Sequence, residues 1–200
     1  PDLADARSIL RSRGAGGRPN YRHSKGLMTS IGDIAPTFSL PDTQGQSHRP
    51  GDAAATVVVF TCNHCPYALA WHERIVAVAS DYDAQGVRVL AVNPNDERAQ
   101  PRDSPEAMKQ RVDQGEFGLI PYLHDESQAV AREFGAETTP DVFVLDDELR
   151  LRYRGAPDGD HDDPAQNAGF LRDALDALLA GRNPDPARTT SVGCAIKWRE

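Results

Sequence analysis

Val57-Val58-Val59-Phe60-Thr61-Cys62-Asn63-His64-Cys65-Pro66-Tyr67 is the stretch that decides the fold. Its first four residues form an unbroken β-branched and aromatic run, the pattern of a strand buried on both faces. Pro66 suits the first position of a helix, where a missing N–H costs no intrahelical bond. That helix is expected over 66–82, with Gly86 ending it. Between strand and helix stands a Cys-x-x-Cys, whose i and i+3 residues share one helix face and lie close enough for their sulfurs to bridge. Cys62 is expected at the helix N-terminus, where unpaired amides and the macrodipole favour an anion. It should then be the more exposed, more acidic and nucleophilic thiol. Cys65, a turn deeper, is expected to be buried and to resolve a mixed disulfide.

Outward from this junction the pattern alternates. Ahead of it, 35–41 reads as a short edge strand followed by a turn at Gly45. Behind it, 87–92 is a second buried strand, and Ser104-Pro105-Glu106 opens a helix with Ser104 as N-cap. A short strand at Tyr122 and Leu123 precedes a helix over 127–134 closed by Gly135. The runs 142–145 and 149–153 flank Asp146-Asp147-Glu148 as a β-hairpin. A last helix over 167–179 shows Phe170, Leu171, Ala174, Leu175 and Leu178 on one face, ended by Gly181. Strands alternating with helices imply parallel crossovers, and the hairpin adds antiparallel pairing. The expected fold is α/β: a three-layer sandwich with a central mixed sheet flanked by helices.

Composition narrows the function classes. The chain has 200 residues, 39% hydrophobic and 26% charged, enough for one domain with a core. Its net charge of −8 argues against a general nucleic-acid binder, which needs a basic footprint. Its longest aliphatic run, 57–59, is far short of the ~20 residues that span a bilayer. Three cysteines are too few for a disulfide-stapled secreted mini-domain. Residues 1–27 are set apart by six basic and two acidic side chains. They lack the apolar core of a signal peptide and are expected to be a disordered tail ahead of a domain over 28–200. Within that domain, Val192, Ile196 and Trp198 argue that the tail 183–200 is docked, since its apolar groups gain by burial.

A dithiol/disulfide redox centre is the favoured reading of Cys62 and Cys65. The competing readings are half a zinc site, which lacks a second ligand pair, and two unrelated core cysteines. His64 is either a solvent-facing polar residue or an imidazole that stabilises the Cys62 thiolate. Cys194 is either a small packing residue or a third redox thiol within disulfide reach of the pair. The alternating acids of 158–163 fail the calcium-loop test, because Asp163 and Gly169 occupy the positions that need Gly and Glu. That segment is expected to be a solvated loop capping the last helix. Trp71 and His72 read as packing or surface residues rather than ligands.

Four segments together resemble bacterial redoxins of the alkyl hydroperoxide reductase/thiol-specific antioxidant family, within the thioredoxin-like superfamily. They are the active-site run Phe60-Thr61-Cys62-Asn63-His64-Cys65-Pro66-Tyr67, then Asp103-Ser104-Pro105-Glu106, then Thr139-Pro140-Asp141-Val142-Phe143, and the closing Ser191-Val192-Gly193-Cys194-Ala195-Ile196-Lys197-Trp198. The resemblance covers about 28–200. It implies that Cys62 and Cys65 are catalytic, with Thr61, His64, Thr139 and Pro140 in support. It further implies that Pro140 is a cis-proline facing the pair, turning the Thr139 backbone outward to receive an extended substrate.

Two departures matter. No acid occurs over 53–61, where thioredoxins carry a buried proton acceptor, and Glu73 is a weak substitute. Peroxiredoxins place Thr or Ser three residues before the peroxidatic cysteine, and here that residue is Val59. The resulting expectation is a cytoplasmic thiol–disulfide oxidoreductase needing no cofactor and no metal. Its partners would be a protein or small-molecule disulfide and an external thiol reductant, with no nucleic acid or membrane involved. The alternatives are a thiol peroxidase with Cys62 peroxidatic, and a copper-chaperone-like binding module, against which the short cysteine spacing counts.

Overall fold

A computed structural model describes residues 29–200; the basic segment 1–27 lies outside the described residues. In chain order the strands and α-helices are β1 (Leu40–Pro41), β2 (Ser47–His48), β3 (Ala55–Phe60), α1 (Pro66–Tyr82), β4 (Val87–Asn93), α2 (Pro105–Asp113), β5 (Tyr122–His124), α3 (Ala129–Phe134), β6 (Thr138–Thr139), β7 (Asp141–Asp146), β8 (Leu151–Gly155), α4 (Gly169–Leu179) and β9 (Cys194–Ala195). The central sheet has the order β5-β4-β3-β7-β8. Its β3–β4 and β4–β5 pairs are parallel, and β3–β7 and β7–β8 are antiparallel. The expected mixed α/β sheet is thus present, with β3 at its centre.

The layers follow from side-chain alternation along buried strands. Val57 and Val59 face a core with Trp71, Ile75 and Val78 of α1 and Leu171 and Leu175 of α4. Val58 and Phe60 face the opposite core, with Val130 and Phe134 of α3 and Ile196 from the tail. Because both faces of β3 are covered, its sequence shows no polar side to read. The end of β3 is thereby fixed in depth, and the cysteines that follow begin inside the protein.

Several boundaries differ from the sequence reading. The edge strand expected over 35–41 shrinks to β1, paired only with β2. Pro36 and Pro41 lack the N–H groups a longer ladder would need. The helix expected from 127 starts at Ala129, because Gln128 adopts a left-handed φ of 61°. Likewise α4 starts at Gly169 behind Ala168 at φ 64°. The Ala168 N–H is taken instead by Asp158 Oδ2 at 2.9 Å. Asp158 is therefore no member of a solvated loop. It is buried and also receives Trp71 Nε1 at 2.6 Å and Arg74 Nη1 at 2.9 Å. The tail packs on this core through Ile196 and partly buried Trp198, while Val192 stays exposed.

Candidate active site

Both cysteines precede α1 rather than sitting in its first turn. Cys65 is the N-cap, with extended backbone at φ −75° and ψ 123°, and Pro66 follows at the first helical position. The Thr61 N–H continues the β3 ladder to Val92 O at 2.8 Å. The loop then folds back until the Cys65 N–H reaches Cys62 Sγ at 3.4 Å.

Cys62 is not the exposed thiol: it is 1% accessible and Cys65 is 0%. The partly exposed cysteine is Cys194. What covers the pair is the chain around the Thr139–Pro140 bond, which is cis. Thr139 is fully buried and touches both sulfurs, its Oγ1 lying 3.1 Å from Cys62 Sγ and its carbonyl oxygen 3.0 Å from Cys65 Sγ. The Thr139 edge is also not open for an incoming strand, because Cys194 of β9 already occupies it.

The two thiols ionise as a pair. A hydrogen bond between the sulfurs by itself raises Cys62 and lowers Cys65, and burial raises Cys62 further. The Thr139 carbonyl imposes the opposite order. A carbonyl oxygen only accepts, so at 3.0 Å from Cys65 Sγ it calls for a proton on Cys65. Cys62 Sγ accepts the Cys65 N–H and lies where the Thr139 hydroxyl can donate to it, and donors favour the anion; Cys65 Sγ also accepts the Cys194 N–H, but it is the sulfur that faces a carbonyl. The local geometry thus puts the thiolate on Cys62.

The residues between the cysteines are held by a segment some forty positions downstream. Asp103 is fully buried just before the N-cap Ser104, whose side chain accepts from the Ala107 N–H. Its Oδ1 accepts the Asn63 N–H at 2.7 Å, and its Oδ2 accepts from His64 Nδ1 at 2.6 Å. His64 is buried with its Nε2 lacking a hydrogen-bond partner, so it is no surface residue. Asn63 Nδ2 donates to Arg102 O, and Asn63 Oδ1 accepts from Tyr122 at 2.9 Å and Arg111 at 3.1 Å. Burial pushes the Tyr122 phenol well above its ordinary value, keeping it a donor here.

Sequence reasoning placed the 103–106 motif but missed that Asp103 is the buried acid of the site. Glu73, the substitute it considered, is exposed on α1. The available signal was an acid directly ahead of an N-cap serine in a segment already picked out. Among the described residues, Cys62, His64 and Asp103 are the buried set with ligand-type atoms within 4.8 Å of one another. Both Asp103 oxygens already accept hydrogen bonds, so that set is committed internally. Cys194 packs against Cys62, Cys65 and Ala68, and its N–H donates to Cys65 Sγ at 3.3 Å. Cys65 and Cys194 are not at disulfide distance.

Residues 31–154 match the AhpC/TSA family. An uncharacterized conserved protein from Geobacillus kaustophilus is 38% identical, with a TM-score of 0.81 over 87% of this chain and 95% of that one. The Chlorobium tepidum protein assigned as thiol:disulfide interchange protein DsbE is 23% identical, with a TM-score of 0.61 over 76% of this chain and 99% of that one. At that identity the likeness concerns the fold, which is thioredoxin-like. The methylamine utilization protein MauD of Paracoccus denitrificans is 28% identical over 129 residues, 62% of this chain. The chain spans 58% of MauD's length.

Proposed function

The chain belongs to the AhpC/TSA family, a thioredoxin-like redoxin family, and within it we propose a thiol–disulfide oxidoreductase that works through Cys62 and Cys65. One observation carries this reading: two buried sulfurs share Thr139, with donors around Cys62 and a carbonyl acceptor at Cys65. That asymmetry supports one nucleophile and one resolving thiol.

In this reading the Cys62 thiolate attacks one sulfur of a substrate disulfide. A Cys62–substrate bond forms, and the substrate's other sulfur leaves as a thiolate that takes up a proton. Cys65 then gives up its proton and attacks Cys62 sulfur, releasing the second substrate thiolate. Two electrons pass to the substrate and the Cys62–Cys65 disulfide remains. An external dithiol reduces it again. Asp103 and Asn63 keep the intervening loop in register, so the sulfurs stay within reach of each other throughout.

Val59, three residues before Cys62, packs into the core and offers no hydroxyl to a peroxide, which favours disulfide over peroxide as substrate. The test is steady-state turnover of the reduced protein with a model disulfide and, separately, with hydrogen peroxide. Disulfide turnover abolished by Cys62→Ser, and stalled as a trapped mixed disulfide by Cys65→Ser, is the expected result. Saturating turnover with peroxide and none with disulfides would replace this reading with a peroxidase.

A further inference from the structure

The residues that close over the sulfur pair come from the far end of the chain. β9 lies antiparallel to β6 with Cys194 opposite Thr139, the residue that touches both active-site sulfurs. Gly193 passes so close to the Thr139 carbonyl that a Cβ there would collide with it. No larger residue could bring the next one, Cys194, along the same path. The Cys194 N–H then points at Cys65 Sγ, 3.3 Å away.

The segment beyond Cys194 is anchored in detail. The Ile196 N–H bonds Glu137 O at 3.0 Å, and the Ile196 side chain is in the core. The Lys197 N–H bonds Asn95 Oδ1 at 2.8 Å, and Gln128 Nε2 reaches Lys197 O at 2.8 Å. The Arg132 guanidinium lies 4.3 Å over the Trp198 ring. Just before Cys194 the chain is held as well, the Ser191 hydroxyl donating to Asp141 Oδ1 at 2.8 Å and Gly193 lying against the Thr139 carbonyl, while Val192 between them is exposed. A cysteine is therefore placed beside a buried sulfur by anchors on either side of it, with its own side chain partly open to solvent. Packing alone would be met by Ala or Ser at this position.

Resting on the redox reading of Cys62 and Cys65, we infer that Cys194 is a third redox thiol that exchanges into the oxidised pair through Cys65. The step balances within the chain. The Cys194 thiolate attacks Cys65 sulfur of the Cys62–Cys65 disulfide, a Cys65–Cys194 bond forms, and Cys62 leaves as a thiolate into the donors of Cys65 N–H and Thr139. No electron enters or leaves; the disulfide moves from a buried pair to one that includes a partly exposed sulfur. There an external dithiol can meet it without entering the core. In the reduced chain, burial and the hydrogen bond with Cys65 push Cys194 up to about 11. Binding Cys65 into a disulfide removes the second of these causes. The exchange thus follows oxidation of the pair, and it requires a short movement of β9 at Cys194 between its anchors at Ser191 and Ile196.

The test uses the whole chain and the thiol oxidant diamide. In Cys62→Ser, diamide should consume both remaining thiols and yield an intramolecular Cys65–Cys194 disulfide on peptide mapping. In the oxidised wild type, one thiol stays free, and N-ethylmaleimide should find it divided between Cys194 and Cys62. Two free thiols in Cys62→Ser, or label confined to Cys194 in a wild type that does close its disulfide, would overturn the inference. A wild type that forms no disulfide with diamide would overturn the redox reading beneath it instead.

Discussion

Asp103→Asn separates what the buried acid does for the fold from what its charge does to the thiols. Asp103 accepts the Asn63 N–H at 2.7 Å and receives His64 Nδ1 at 2.6 Å, with no solvent access. Asparagine has the same size but only one acceptor. With its oxygen on Asn63, its NH2 group can bond His64 Nδ1 only if the ring proton moves to the unpartnered Nε2, and flipped, it fails Asn63. Either way one charge-assisted hydrogen bond is lost, a cost of ~1.5–3 kcal/mol in stability. The effect on Cys62 has the opposite sign to a simple loss. The carboxylate lies within 4.8 Å of Cys62 Sγ, and its negative charge opposes ionisation of that thiol. At an effective dielectric of about 20, a unit charge at that range is worth roughly 3 kcal/mol. After the opposing polarity of its partners is allowed for, a fall of about one to two pKa units at Cys62 is expected in the variant. The assay is a titration of thiolate ultraviolet absorbance in a background carrying Cys65→Ser and Cys194→Ser, so that one thiol is read. Urea unfolding reports the stability term alongside it. A Cys62 midpoint that stays put or rises in Asp103→Asn would refute the electrostatic reasoning, whatever happens to stability.

Gly193→Ala should lift β9 off the Thr139 carbonyl, and native-state alkylation of Cys62 and Cys65 should speed up roughly 10–100-fold, in line with an overpacking cost of ~1–3 kcal/mol; unchanged rates would mean the tail is not what shields the pair. Asp158→Ala strips Trp71 Nε1, Arg74 Nη1 and the Ala168 N–H of their shared acceptor, and chemical denaturation should show a loss of about 3–5 kcal/mol. A loss below about 1 kcal/mol would count against a buried hub there. Burial raises the Tyr153 phenol from 10 to about 12. Its folded value exceeds its unfolded one, so its share of stability is complete below pH 10 and is lost as pH rises from 10 towards 12, by about 3 kcal/mol in all. Tyr153→Phe should flatten the alkaline limb of the stability curve, and Tyr82, also raised to about 12, should keep part of it.

Much of the fold was legible because it is written in local chemistry. The β-branched run 57–60 could only be a strand covered on both sides, and Pro66 after Cys65 could only open a helix. The bounds of α1 follow directly, Pro66 to Tyr82. Ser104 and Pro105 announced α2, and Gly135, at φ 68°, announced the end of α3. In each case the determining contacts lie within one turn or one strand pair of the residue that signals them.

By spacing alone the candidate site was legible only in its two cysteines, with His64, Thr139, Pro140 and Cys194 added by resemblance, and the reason is separation along the chain. His64 and Asp103 are 39 residues apart, Cys62 and Thr139 are 77 apart, and Cys65 and Cys194 are 129 apart. No periodicity or capping rule reaches that far. Exposure was misjudged for the same cause: a cysteine at a strand-to-helix turn is open unless something distant covers it, and here the chain around Pro140 and the tail do. The sequence by itself determined that a Cys-x-x-Cys would stand at the end of a central strand, because strand and helix formation depend on neighbours. Tertiary structure alone decided which acid and which carbonyl would surround it and that Cys194 would lie beside Cys65, because those contacts exist only once the sheet has ordered distant segments side by side.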